Sequence, residues 1–290
     1  MARRRPPTVH GLLVVDKPTG VTSHDVVGML RRRLGERRIG HAGTLDPSAT
    51  GVLVVGVGNV TRLMRFVGDG HKRYTGEVVL GVETDSLDAD GAVVATHDMA
   101  GVTVDDARRV AAAHLTGPIA QVPPMVSAIR IDGRRLHELA REGIEVDRAP
   151  RPVTIERFEV TATDEPDVLA IDVTCSGGTY VRTLAADLGH LLGGGAHLRN
   201  LRRVAVGPYT IEEAAPPDEC ELLDPLAAVR GLPVVAVDAE TATLVANGRV
   251  LPAPGGTGPW AFVGPGDRLL AVYESFRDGA AKPAVVLPAT

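Results

Sequence analysis

Aromatic side chains are scarce in this chain: one Trp, four Tyr and four Phe among 290 residues. Its core must therefore be built from Val, Leu, Ile and Ala, within an apolar content of 44%, and each Tyr becomes a candidate for a special task. Cysteine is scarcer still. Cys175 and Cys220 are too few and too far apart for a disulfide framework or a thiolate zinc site, which suits a reducing compartment. No apolar run reaches the roughly 18 residues of a spanning helix. The basic start MARRRPP leads into a strand rather than a signal-peptide core, so a soluble, cytoplasmic protein is expected. The nine His and the carboxylates show no ligand spacing such as HxxxH near a third ligand, so no metal site is expected.

Positive charge is also in deficit overall, with 31 Lys and Arg against 36 Asp and Glu, which argues on its face against a polyanionic partner. The distribution reverses that inference. Residues 1 to 73 hold thirteen basic against five acidic side chains, whereas 74 to 128 hold two against eight. Clusters recur at Arg31-Arg32-Arg33, Arg37-Arg38, Lys72-Arg73, Arg134-Arg135 and Arg202-Arg203. That is the footprint of a surface that grips phosphates, although a solvated helix face explains any single cluster equally well.

VHGLLVVDKP at 9 to 18 reads as a buried strand, followed by a helix capped by Thr22 or Ser23 with Val26, Leu30 and Leu34 on one face. GVLVVGVG at 51 to 58 is a second buried strand. Further strands are expected at 73 to 82, 153 to 161, 168 to 175 and 201 to 206, and helices at 103 to 114, 133 to 142 and 179 to 192. Strands and helices alternate without a strict β-α-β rhythm, which predicts an α+β fold with a mixed, largely antiparallel sheet flanked by helices. LGGGAH at 192 to 197 follows a helix instead of preceding one, so it is a helix stop and not a phosphate loop. The Pro-rich, acidic AAPPDECELLDP marks a boundary, giving one domain over 1–230 and a second over 231–290. Strand-like pieces at 260 to 263, 268 to 273 and 284 to 287 make the second a small β-rich module.

Gly40 to Gly51 reads GHAGTLDPSATG, a run of small or turn-forming residues whose one strongly charged group is Asp46. Pro47 biases Asp46 away from helical angles, and the glycines permit close backbone approach, so the loop can present one carboxylate to a substrate. A surface turn capped by its own Asp accounts for the same residues. The surrounding segments decide between the two. DKPTGVTSHD at 16 to 25, GHAGTLDPSATGVL at 40 to 53, KRYTGEVVLGVETDSLDADG at 72 to 91, CSGGTYVRTLAADLG at 175 to 189 and LRRVAVGPYTIEEA at 201 to 214, in this order and spacing, resemble the bacterial tRNA pseudouridine synthases that modify uridine 55 of the T-arm. The resemblance runs from about Gly11 to Ala214, with the KPxGxTS and GTLDPxAxG runs its most specific parts.

That resemblance implies the pseudouridine synthase fold and an isomerisation without cofactor: the N-glycosidic bond of a uridine breaks, the base rotates, and C5 rejoins the sugar. Asp46 matches the family's essential Asp, which attacks or stabilises the electron-poor sugar or base. Tyr74 matches the Tyr that packs against the target base, where a proton must leave C5. Arg182 matches the Arg of the GTYVR run, whose guanidinium would keep the carboxylate ionised and oriented, and Asp88 an acid that braces that Arg. Leu201 corresponds to an apolar residue closing the pocket, and His41 to a ring that stacks where the flipped base stood. Tyr180 belongs to the same GTYVR run. Lys17, Arg62 and Arg202 with its neighbour Arg203 are expected as phosphate contacts or structural supports. Gly43, Thr44 and Ala49 would leave room for the nucleotide. Family members usually carry Lys where this chain has Gly178, which removes one phosphate contact.

Residues 238 to 290 look like the small PUA-like RNA-binding domain that commonly follows this catalytic domain, although 216 onward carries nine acidic against five basic side chains. The expected partner is tRNA, with no membrane, no obligatory protein partner and a monomeric state. A protein that binds and remodels tRNA, with catalysis secondary, is the alternative; intact Asp46, Tyr74 and Arg182 favour the enzyme. A guide-RNA-dependent relative fits less well, since no long basic extension is present beyond Arg3 to Arg5.

Overall fold

The computed structural model describes residues 6–68, 70–127, 129–131 and 133–288; Arg3 to Arg5 and the rest of the basic start lie outside them. In chain order the elements are β1 (Gly11–Lys17), α1 (Ser23–Leu34), β2 (Ile39–Ala42), β3 (Thr50–Val57), a 3-10 turn over Gly58–Leu63 and α2 (Met64–Gly68). There follow β4 (Lys72–Leu80), β5 (Val82–Thr84), β6 (Val93–Thr96), α3 (Val104–His114), β7 (Gly117–Gln121), β8 (Arg130–Ile131), β9 (Arg134–Arg135) and α4 (Leu136–Arg141). Then come β10 (Arg151–Ala162), β11 (Val168–Cys175), α5 (Val181–Leu191), β12 (Ala196–Val206) and β13 (Tyr209–Thr210). The last stretch holds β14 (Val234–Ala236), α6 (Ala239–Ala246), β15 (Leu251–Pro252), β16 (Trp260–Gly264), β17 (Arg268–Ser275) and β18 (Ala280–Val286). Contacts divide the chain into two compact units, 1–47 with 51–70 and 206–290, and 48–50 with 71–205.

In the first unit β3 runs antiparallel to both β1 and β2, with Val14 opposite Val54 and His41 opposite Val55. One face of these strands packs Leu13, Val15, Leu53 and Val55 onto Val26, Val27 and Leu30 of α1. The other packs Leu12, Val14, Val52 and Val54 with Val60, Leu63, Ala261, Val263 and Val272. Both faces are covered, so the strands are apolar at consecutive positions instead of alternating. Thr22 caps α1: it accepts from the Asp25 N–H while the Asp25 carboxylate accepts from the Thr22 N–H, and the helix stops at Gly35 with φ 63°. The C-terminal strands form a five-stranded sheet in the order β14-β16-β17-β18-β15, parallel only between β14 and β16. Trp260, Phe262 and Tyr273 fill its far side, the Phe262 and Tyr273 rings 4.4 Å apart. The scarce aromatics are thus concentrated in the smallest module, where few residues must bury much area.

In the second unit the strand order is β12-β4-β11-β10-β7, and β4–β11, β11–β10 and β10–β7 pair antiparallel. Along β4 the buried residues alternate from Lys72 to Leu80, the signature of a sheet with one covered face. β5 and β6 make a hairpin beyond its end.

The α+β architecture, largely antiparallel sheet and β-rich C-terminal module are as the sequence predicts. Several elements differ. β12 begins at Ala196, five residues before the expected start, because His197, Arg199 and Asn200 interrupt the apolar pattern without interrupting the backbone. The helix expected from 133 begins at Leu136, since Gly133 at φ 84° turns the chain between β8 and β9. α6, capped by Asp238, lies in a stretch expected to be β-rich. α5 ends at Leu191 and Gly193 turns at φ 89°, so LGGGAH is the helix stop.

Candidate active site

Asp46 sits in the irregular stretch between β2 and β3, partly exposed, with its two neighbours fastened by the segment that precedes and opens α1. On one side Ser23 Oγ accepts from the Leu45 N–H at 2.9 Å and donates to the Leu45 carbonyl at 3.1 Å. On the other, the Pro47 carbonyl accepts from the Gly20 N–H at 2.9 Å and from Lys17 Nζ at 3.2 Å. Lys17 is fully buried, and its ammonium also donates to the carbonyls of Pro18 at 2.8 Å and Val21 at 2.7 Å. Three carbonyls around one buried cation satisfy its three N–H groups. The geometry is that of the structural support among the two roles expected for Lys17. The KPxGxTS and GTLDP runs are therefore one object: the first holds the backbone on either side of Asp46.

The second unit builds around Arg182, which is 4% exposed in the first turn of α5. Its Nη1 donates to the Ser86 carbonyl at 2.8 Å and lies 3.4 Å from Asp88 Oδ2; its Nη2 donates to the Val126 carbonyl at 2.9 Å. Asp88 is itself positioned by Ser86 Oγ at 2.5 Å and the Asp90 N–H at 3.2 Å, and its own carbonyl accepts from Thr84 Oγ1. A buried guanidinium is thereby matched with one carboxylate and two carbonyls, the arrangement low dielectric requires. Tyr180 forms the N-cap of α5, and Tyr74 is buried in β4 opposite Val173 of β11.

The other expected residues have distinct surroundings. His41 lies in β2 and not in a loop, half-buried between Gly40 and Ala42. Arg62 is exposed and donates through Nη1 to the Val286 carbonyl at 2.7 Å. Leu201 is half-buried in the middle of β12 and does not begin it. Arg202 donates to Thr50 Oγ1 at 3.2 Å, while Arg203 is buried. Ala49 is 1% exposed, so its small side chain serves packing and leaves no room at the surface; Thr44 is exposed and Gly43 half-exposed. Gly178 adopts φ 87°, a left-handed conformation that favours glycine. Of the arginine cluster on α1, Arg33 donates to the Pro217 and Cys220 carbonyls and Arg31 to that of Ile39, so those two brace the fold. Both thiols are buried, and burial pushes Cys175 up to about 11 and also raises Cys220, which disfavours the thiolate.

Sequence reasoning missed Ser23 as a clamp, reading it only as a cap, and missed Ser86, Gln121 and Val126 altogether. Toward Arg182, Ser86 and Val126 act through backbone carbonyls, which carry no side-chain signal, although the Ser86 hydroxyl also donates to Asp88. Gln121 is a neutral residue in no recognised pattern.

Three family descriptions match the chain in sequence: "TruB family pseudouridylate synthase (N terminal domain)" over residues 31–181, "tRNA pseudouridylate synthase B C-terminal domain" over 182–223, and "tRNA Pseudouridine synthase II, C terminal" over 232–288. Proteins named tRNA pseudouridine synthase B are similar along nearly their whole length. That of Rhodococcus jostii is 46% identical over 97% of this chain and 95% of its own, and that of Thermobifida fusca 45% identical over 95% and 98%. Among solved structures, a Cbf5-Nop10-Gar1 complex matches with a TM-score of 0.71 at 24% identity, covering 97% of this chain and 84% of the other. An H/ACA RNP bound to a substrate RNA containing 2'-deoxyuridine matches at 0.70 and 23%, covering 96% and 84%. These two show the shared fold alone. From the sequence matches, the chain belongs to the TruB family of pseudouridine synthases.

Proposed function

We propose that the protein isomerises uridine 55 in the T-arm of tRNA to pseudouridine, with Asp46, Tyr74 and Arg182 carrying the chemistry. Family membership makes it an isomerase acting on RNA. The observation that carries the finer reading is the build of the Asp46 loop. Ser23 holds Leu45, and Lys17 and Gly20 hold Pro47, so the backbone of a single carboxylate-bearing residue is fixed from both sides. An ordinary surface turn has no use for a buried Lys.

In the reaction the bond between C1' and N1 of the uridine breaks, the uracil turns over, and a bond between C1' and C5 replaces it. The C5 proton leaves to a base and N1 is protonated, so nothing is oxidised and no water is consumed. Asp46 attacks or stabilises the electron-poor sugar or ring, and Arg182 keeps the carboxylate charged. Tyr74 packs on the base, near the proton that leaves. Flipping the uridine costs roughly a few kcal/mol of stacking, which His41 offsets by filling the vacated space, with Leu201 closing over the base. Arg62, Arg202 and Tyr180 line the path of the RNA, and Asp88 braces Arg182. Residues 1–230 act as the catalytic domain and 231–290 as the PUA-like domain touching RNA. The protein works in the cytoplasm as a monomer, without cofactor, guide RNA or protein partner. Among the described residues no helix is long and apolar enough to cross a membrane.

The test is release of tritium from C5-labelled uridine in a tRNA transcript, without metal or nucleotide. Wild type is expected to release label, and a transcript with cytidine at position 55 to release none from that site. Asp46→Asn should slow release by about a thousandfold or more while leaving RNA retention on filters nearly intact. Release by the Asn variant at the wild-type rate would sink the assignment of Asp46.

A further inference from the structure

We propose that Gln121 is a positioning residue for Arg182, an inference that rests on the part given to Arg182 above. Gln121 ends β7, and its side chain is buried, with 2% of the residue exposed. Its Oε1 accepts from the Tyr180 N–H at 2.8 Å, and its Nε2 donates to the Tyr180 carbonyl at 3.1 Å. A carboxamide is the neutral side-chain group that can donate and accept side by side, so the pair fixes the plane of the Gln and the backbone of Tyr180 together. Tyr180 is the N-cap of α5, and its own side chain makes no capping bond. Gln121 therefore holds the start of this helix from outside.

Arg182 follows two residues later, so the direction in which α5 sets out decides where its guanidinium points. The same stretch of chain holds that guanidinium as well: the Val126 carbonyl, five residues beyond Gln121, accepts from Nη2 at 2.9 Å. Pro123 and Pro124 lie between the two attachments and restrict the backbone that joins them. QVPPMV thus grips the helix start through Gln121 and the arginine head through Val126. Ser86 and Asp88 hold the same guanidinium from the β5–β6 hairpin. A Gln that only filled space would need neither paired bond, and Met would replace it.

Gln121→Met keeps the volume and removes both bonds; Gln121→Glu keeps the acceptor and regains the donor only when protonated. The expected result for Gln121→Met is a fall in kcat of about tenfold or more, with KM for tRNA changed by less than about twofold. Gln121→Glu should recover relative to wild type as pH is lowered, because a protonated carboxyl again donates to the Tyr180 carbonyl. In an Arg182→Lys background Gln121→Met should add little further loss. Wild-type kcat in folded Gln121→Met, full additivity with Arg182→Lys, or a Gln121→Glu pH profile parallel to wild type would each overturn the proposal. Should Gln121→Met not fold, the Glu variant's profile decides. Arg182→Lys turning over normally would instead overturn the assignment of Arg182 itself. A slow Arg182→Lys beside a wild-type Gln121→Met would overturn only the inference about Gln121.

Discussion

The supports described around Asp46 and around Arg182 fall on different parts of the chain. Around Asp46 every support described falls on the backbone of its neighbours, Leu45 and Pro47, and comes from a buried Lys, a buried Ser and a Gly N–H. Around Arg182 the supports fall on the side chain itself, two carbonyls and a carboxylate on one guanidinium, with Gln121 steadying the helix start behind it. The N–H and carbonyl groups flanking a loop residue are points at which its peptide can be made rigid. A guanidinium has five N–H donors in a plane, so carbonyls and a carboxylate from several segments can anchor it together.

Arg182→Lys tests the second half of that comparison and should have the larger effect. An ammonium cannot reproduce a forked contact with Ser86, Val126 and Asp88 at once, so kcat should fall by roughly a hundredfold, read by label release. Near-normal turnover would show that a point charge suffices and that the fork is incidental. Lys17→Met tests the first half. It fills the same space but takes the ammonium from three carbonyls, of which that of Pro47 keeps another donor, the Gly20 N–H, so urea unfolding should show a loss of about 3 kcal/mol. A loss below about 0.5 kcal/mol would mean that the loop does not depend on its buried cation.

The smallest effect concerns the base of the hairpin that carries Ser86 and Asp88. Glu83 bonds His97 at 2.6 Å, where β6 ends, and His190 at 3.2 Å, in the last turn of α5. Burial raises the Glu83 carboxyl, yet hydrogen bonds and charge from His190 and His97 outweigh it and hold it below its ordinary value of 4.5. A depressed carboxylate contributes stability above its unfolded pKa, and that contribution is lost as pH falls through the folded one. Thermal melts of wild type should therefore lose stability below pH 4.5 more steeply than those of Glu83→Gln, by well under about 1 kcal/mol because the pairs are partly solvated. Parallel acid limbs would remove Glu83 from the account.

Much of the architecture was legible in the sequence because the signal was apolar. GLLVV and GVLVV announced strands covered on both faces, and β11 falls on 168 to 175 as expected, because alternation and run length survive in any context. β2 escaped notice: four residues with Gly40 and His41 inside them have no strand-like composition, and only pairing with β3 extends them. α6 was hidden by its surroundings, since a helix of eight residues among Pro- and Gly-rich turns carries too short a pattern. At the site, charged and motif-bearing residues stood out, Asp46, Arg182, Asp88 and Lys17 among them. Their partners Leu45, Pro47, Ser86 and Val126 did not, because any residue has a carbonyl.

By itself the sequence determined the class of the protein: an apolar, aromatic-poor α+β chain with a carboxylate in a Gly-rich loop and the ordered motifs of one enzyme family. Residue type and spacing suffice for that, since both are properties of the chain alone. Tertiary structure decided which cation supports and which is supported. Lys17 and Arg182 are both basic residues in recognisable runs, yet the buried ammonium holds a loop by three carbonyls and the guanidinium is held by two. That distinction depends on where backbone carbonyls from distant segments converge, and it comes into being only when the chain has folded.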